Sequence, residues 1–157
     1  MLHSLWRYIR KSLNSLRHSD ASAKVGYTRR ALRPLALIVD DDPDIVPLVK
    51  AALGPYAISS QVVHDGAAAL ARLHADSFNL VILDLAMAGL NGFDVLRALK
   101  KETRLRTIPV IVLTANANDE SLARSFGYGA DDFVAKPFKA RELGMRAYRL
   151  LYPPAAV

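Results

Sequence analysis

From residue 35 onward the chain alternates between short apolar runs and longer stretches in which apolar residues recur at helical spacing. The runs are LALIV (35–39), ISSQVV (58–63), LVIL (80–83), PVIVL (109–113) and DFVA (132–135), all short and rich in Val and Ile. Each has the length of a strand and is followed by a segment of helical periodicity, beginning near residues 43, 66, 92, 117 and 139. Local signals mark the helix starts. Asp42 precedes Pro43, and Asn118, Asp119 and Glu120 fill a predicted first turn. Gly54 and Gly127 are predicted helix stops. Five βα units of this size predict an α/β fold, a doubly wound five-stranded parallel sheet with five helices on its two faces. Right-handed crossovers leave few strand orders, and in such sheets chemistry gathers beyond the carboxyl ends of the strands.

The residues at those ends form a consistent set. The first run leads into Asp40, Asp41 and Asp42, the third into Asp84, the fourth into Thr114, and the fifth into Lys136 and Pro137. Parallel topology brings them to one edge, where clustered carboxylates repel and call for a cation. With oxygen donors and no nearby His or Cys, a hard ion is expected, Mg²⁺ or Mn²⁺. Lys136 adds an ammonium and Thr114 a hydroxyl, so the group reads as a cradle for a phosphoryl group. In NLVILDLAMAGLNG (79–92), Asp84 is followed by Ala86, Ala88, Gly89 and Gly92. These small neighbours leave room for a tetrahedral group, and Asp84 is the predicted nucleophile. Taken singly, each residue has a plainer reading: strand-end aspartates cap helices, as Asp42 is expected to do, and Lys136 would be a solvated surface charge. Phe133 read alone is a core aromatic. Caps, however, require no matching Thr and Lys on other strands.

Together, ALIVDDDPDI (36–45), VILDLAMAGLNGFDVL (81–96), IPVIVLTA (108–115) and GADDFVAKPF (129–138) resemble the receiver domain of two-component response regulators. The resemblance covers about residues 35 to 152 and implies the flavodoxin-like receiver fold. It implies that Asp84 is the phosphoacceptor and that Asp40 and Asp41 are the acidic pair. Asp41, Asp84 and the Ala86 carbonyl would then ligate Mg²⁺, with Asp40 acting mainly through water. Thr114 resembles the switch hydroxyl, Lys136 the lysine that pairs with the phosphoryl group, Phe133 the aromatic switch and Pro137 a cis proline. Implied partners are a sensor histidine kinase or histidine phosphotransfer protein upstream. Downstream, a protein target would meet the face built by the fourth helix, fifth strand and fifth helix. A homodimer is a further expectation. The implied protein is a phosphoacceptor that assists its own phosphorylation and dephosphorylation, not an enzyme.

Some positions depart from the family pattern. Ala88 stands where the family usually has Pro, which predicts a less rigid loop after Asp84. Pro47 is harmless only if its helix starts near Asp44. Gly144 inside the last helix costs about 1 kcal/mol relative to Ala, predicting a frayed or bent helix. Ala86 and Asn116 lie where the family varies residues that tune dephosphorylation.

Composition narrows the picture further. The chain has 157 residues, 52% of them hydrophobic, and no cysteine, which excludes disulfides and thiolate chemistry and fits a reducing, cytoplasmic setting. No apolar run reaches the roughly 18 residues of a membrane span. The net charge of +6 is unevenly spread. Residues 1–34 hold eight basic side chains against Asp20 alone, and the remainder is close to neutral. Leu2, Leu5, Trp6, Ile9, Leu13 and Leu16 recur at helical spacing, so residues 2–17 read as a basic amphipathic helix, followed by a linker. Residues 1–18 are thereby candidates for membrane-surface contact; the plainer reading is a disordered basic tail. The expected organisation is a basic extension (1–34), a receiver domain (35–152) and a tail (153–157), with no DNA-binding output domain. Two other readings compete: a phosphorylation-independent interaction module tethered by the N-terminal segment, and a metal-dependent phosphohydrolase. Asp40 and Asp42 have the spacing of the latter's acids, but the chain has no room for a cap domain.

Overall fold

The computed structural model describes residues 33–115 and 119–154. The proposed helix over residues 2–17, the linker after it, Asn116 and Asn118 lie outside them. Five strands form one parallel sheet: β1 (Leu35–Val39), β2 (Ser59–Val63), β3 (Leu80–Asp84), β4 (Val110–Thr114) and β5 (Asp132–Ala135). Their order is β2-β1-β3-β4-β5, so the chain reverses its direction of travel across the sheet between β1 and β3. β1, β3 and β4 are central and buried on both faces, which is why they read as unbroken apolar runs. Edge strand β2 carries Ser59, Ser60 and Gln61, polar residues that suit a position with one open side.

The helices are α1 (Ile45–Leu53), α2 (Gly66–Ala75), α3 (Gly92–Lys101), α4 (Asp119–Gly127) and α5 (Ala140–Leu151). Alternate strand residues point to opposite faces, and the core divides accordingly. On one face Leu37, Val39, Val81, Leu83 and Val112 pack with Ala69 and Leu73 of α2 and Val95, Leu96 and Leu99 of α3. On the other, Ala36, Ile38, Ile82, Ile111 and Leu113 pack with Val49, Ala52 and Leu53 of α1 and Leu143 and Ala147 of α5.

Several local expectations need correction. The regular part of α1 begins at Ile45, yet the turn opens at Asp42, whose Oδ1 accepts from the Asp44 N–H at 2.9 Å. Pro47 is then the third residue of α1, where its missing N–H removes no helical bond. Gly54 ends α1 without a left-handed cap. The chain passes into a 3₁₀ turn (Gly54–Tyr56), and the residue with positive φ (56°) is Ala57. Ile58 is buried but precedes β2.

Gly144 is the largest correction. Helix α5 runs unbroken through it, and the residue is buried. A Cβ there would lie 2.4 Å from the Ala52 carbonyl oxygen and 2.5 Å from the Tyr56 ring. The glycine lets α5 approach the backbone of α1, and close packing outweighs the weak helix propensity. Gly144→Ala gains about 1 kcal/mol of helix propensity but overpacks a backbone contact at a cost of about 1–3 kcal/mol or more. We expect a lower urea midpoint for Gly144→Ala; a raised midpoint would show that the close approach is unimportant.

Candidate functional site

The carboxyl edge of the sheet collects side chains from four strand ends. Asp40 follows β1 and is fully buried; its N–H donates to the Val63 carbonyl at 3.2 Å, holding it against β2. Its Oδ1 accepts from the Asp42 N–H and its Oδ2 from Lys136 Nζ, both at 2.9 Å. Asp84, the last residue of β3, is 4% exposed. Its Oδ1 accepts from the Ala86 N–H at 3.2 Å and its Oδ2 lies 3.3 Å from Lys136 Nζ. Asp41 is exposed, and its Oδ2 accepts from the Ala88 N–H at 3.4 Å. One ammonium thus bridges two of three carboxylates, and the third faces outward.

Oxygens of Asp40, Asp41 and Asp84 all lie within 4.8 Å of one another, a separation at which two unit charges repel by about 3.5 kcal/mol at an effective dielectric near 20. Burial pushes the Asp40 carboxyl above the usual carboxylate range, and the bonds from Lys136 and Asp42 only partly counter it. Burial alone would lower Lys136, but the hydrogen bond to Asp40 and the charge of Asp84 outweigh it, holding the ammonium above its ordinary range. A single lysine cannot balance three ionised acids. An oxygen-only donor set with one solvent-facing member fits a hard divalent cation such as Mg²⁺.

Thr114 closes β4 and is buried, one residue beyond Leu113, the partner of Asp84 in register. The Thr114 carbonyl accepts from the Lys136 N–H at 2.8 Å, lacing the ends of β4 and β5. The Lys136–Pro137 peptide is cis. Phe133 pairs with Val112, is half-buried, and meets Phe126 of α4 edge-to-face, with centroids 5.8 Å apart. Phe126 is 47% exposed.

The small residues after Asp84 serve more than one purpose. A Cβ on Gly92 would lie 2.2 Å from the Asp84 carbonyl oxygen and 2.6 Å from Leu85 Cα. This glycine makes room for backbone, allowing α3 to start directly against the end of β3. The Asn91 side chain caps α3 by accepting from the Asp94 N–H at 3.1 Å. Gly89 has φ +75° and turns the loop. Ala86 and Ala88 are both exposed.

Sequence reasoning missed four features. Asp42 supports Asp40 through its backbone, and His64 Nδ1 lies 3.0 Å from the Asp40 carbonyl oxygen. Phe126 is the ring that Phe133 meets. Asp132, buried at the start of β5, is bound by Arg146 at 2.8 Å and Arg149 at 3.0 Å from α5. An acid inside an otherwise apolar strand was the available signal for the last of these. The Asp42 bond is local, two residues from Asp40, whereas the His64 and Phe126 contacts depend on elements that only the fold brings together.

Comparison with known proteins agrees with this geometry. Residues 36–147 match the family model for the response regulator receiver domain. The DNA-binding response regulator MtrA of Mycolicibacterium smegmatis is 36% identical over 115 residues, 73% of this chain and 49% of MtrA. The transcriptional regulatory protein CpxR of Klebsiella pneumoniae is 39% identical over 115 residues, 73% of this chain and 48% of CpxR. The chain therefore spans about half the length of the curated relatives it matches. Among solved structures, the receiver domain of Francisella response regulator 1452 superposes with a TM-score of 0.70 at 30% identity, covering 76% of this chain and 97% of that one. The receiver domain of a signal transduction histidine kinase from Syntrophus aciditrophicus gives 0.71 at 34% identity, covering 79% and 94%.

The bridge made by Lys136 has a measurable consequence. Lys136→Met leaves the buried Asp40 and Asp84 without their cation, which we expect to cost about 3 kcal/mol in urea unfolding with EDTA present. Mg²⁺ should then raise the midpoint more in the variant than in the parent. Equal stability of the two proteins in EDTA would show that the ammonium does not hold the cluster together.

Proposed function

The chain belongs to the response regulator receiver domain family, and from that premise we propose that it is a phosphorylation-driven signalling switch with Asp84 as phosphoacceptor. The observation that carries this reading is the convergence of Asp84 with Asp40, Asp41 and Lys136 at the carboxyl edge of the sheet. Receiver domains are phosphoacceptors and not classical enzymes, so the work of the site is to position and to balance charge.

In the proposed transfer, a carboxylate oxygen of Asp84 attacks the phosphorus of a phosphohistidine on a histidine kinase or phosphotransfer protein. The P–O bond forms as the P–N bond breaks, and the leaving imidazole takes a proton from solvent. Ala86 N–H already holds one Asp84 oxygen, fixing the carboxylate plane before the donor arrives. Lys136, now shared between Asp40 and Asp84, is placed to follow the negative charge onto the phosphoryl oxygens. Asp40, Asp41 and Asp84 with the Ala86 carbonyl would hold Mg²⁺, or Mn²⁺ in its place, which when bound supplies positive charge against the incoming phosphoryl group. Thr114, adjacent to Lys136 on the neighbouring strand end, is the hydroxyl we assign to the phosphoryl group once it is attached. Phe133 is the aromatic whose position would follow Thr114.

The response would leave through the face formed by α4, β5 and α5, where Phe126, Phe133, Arg146 and Arg149 lie. We read the signal as passing by protein contact from that face, and residues 35–152 as the receiver unit that delivers it. No helix among the described residues is long and apolar enough to cross a membrane.

Acetyl phosphate with Mg²⁺ should label the protein stoichiometrically. The label should be acid-stable, labile to hydroxylamine, absent with EDTA, and lost in Asp84→Asn. A parent protein that takes no label would sink the proposal and favour a phosphorylation-independent binding module. Ala86 is small and exposed, leaving water a path to the phosphoryl group. Ala86→Asn is expected to change the dephosphorylation half-life measurably, and an unchanged half-life would remove Ala86 from that role.

A further inference from the structure

The three acids differ in how their oxygens are held. Both oxygens of Asp40 have partners in the fold, the Asp42 N–H and Lys136. Both oxygens of Asp84 do as well, through the Ala86 N–H and Lys136. Asp41 is exposed, and among the described residues its carboxylate is reached by one donor, the Ala88 N–H at 3.4 Å. That donor comes from 47 residues away, on the loop that follows Asp84.

The same contact matters to the loop. Its base is fixed by Leu85 N–H to the Leu113 carbonyl at 3.2 Å and by Gly92 N–H to the Leu85 carbonyl at 3.3 Å. Between these points Ala86 N–H reaches back to Asp84, and Ala88 N–H reaches across to Asp41. Gly89, with φ +75°, then turns the chain away. The tie to Asp41 uses a backbone N–H, so it exists because residue 88 is alanine; a proline there would have no proton to donate.

We propose that the Ala88 N–H is a positioning donor that presents the Asp41 carboxylate to the cation site and so couples metal occupancy to the conformation of the loop 86–91. The inference rests on the divalent-cation reading given above. The donor occupies Oδ2 of Asp41, which leaves Oδ1 for the ion. An exposed aspartate without this bond would have to be ordered when the metal binds, and that ordering weakens affinity. Hydrogen bonds that orient ligating carboxylates are worth about 10–100-fold in metal affinity, and the exposure and length of this one place it at about tenfold. By reciprocity, a metal that fixes Asp41 must also strengthen its hold on the loop.

The test replaces the amide N–H of residue 88 by an ester oxygen, through semisynthesis of the full chain with lactate in place of Ala88. Mg²⁺ and Mn²⁺ affinities are then measured by calorimetry, with circular dichroism confirming the fold. We expect binding about tenfold weaker than in the parent, and a shift in the same direction for the expressed variant Ala88→Pro. In the parent, Mg²⁺ should also slow hydrogen exchange at the Ala88 amide. Ester and parent proteins of equal affinity, or an Ala88 amide whose exchange ignores Mg²⁺, would overturn the inference while leaving the metal reading in place. A parent that binds neither ion would overturn both.

Discussion

Lys136 stands at the centre of this structure because, among the described residues, its ammonium is the one cation that touches two buried carboxylates. Asp40 and Asp84 come from different strands, 44 residues apart in sequence, and each would be costly to bury without a partner. The lysine reaches them because β5 lies beside β4, where the Thr114 carbonyl receives the Lys136 N–H. The balance is incomplete: three acids face one ammonium, and burial raises Asp40 even with the lysine bonded to it. A site in this condition suits a divalent cation, and in the proposed transfer the ammonium would shift toward the phosphoryl group.

Two glycines set the distances on which that arrangement depends. Gly92 lets α3 begin against the backbone of Asp84, so the residue that carries the carboxylate is clamped between sheet and helix. Gly144 does the same for α5 against α1, on the opposite face of the sheet. In each case the side chain is absent because a backbone oxygen stands where a Cβ would be. The first was read from sequence as clearance for a ligand and the second as a weakness in a helix. Both are close approaches of main chain, which only the packed structure reveals.

Between the site and the face assigned to partners runs a sequence of aromatic contacts. Phe133 of β5 meets Phe126 of α4 edge-to-face. On α4, the Arg124 guanidinium lies 4.4 Å from the Phe93 ring and 5.7 Å from that of Tyr128. Phe93 is the second residue of α3, next to Gly92 and hence to the end of β3. The helix that would report phosphorylation is thus held by a cation–π contact and an edge-to-face ring pair at its carboxyl half. Such contacts are individually weak, of about 0.5–1.5 kcal/mol each, a scale suited to an element that would move in the proposed switch.

The sequence by itself determined the five strands, the parallel sheet and the residues that gather at its carboxyl edge. Each of these is written locally, in apolar runs of strand length and in the polar residue that ends each run. Asp40, Asp41, Asp84, Thr114 and Lys136 were legible because strand ends in a parallel sheet share one edge whatever the details of packing. Tertiary structure alone decided which oxygen meets which donor. It gave Asp40 and Asp84 to Lys136, left Asp41 to the Ala88 backbone, and turned Asp132 toward Arg146 and Arg149. These pairings join residues 14 to 96 positions apart, and which rotamer and which donor meet across such a separation is decided by packing and not by the local pattern of the chain.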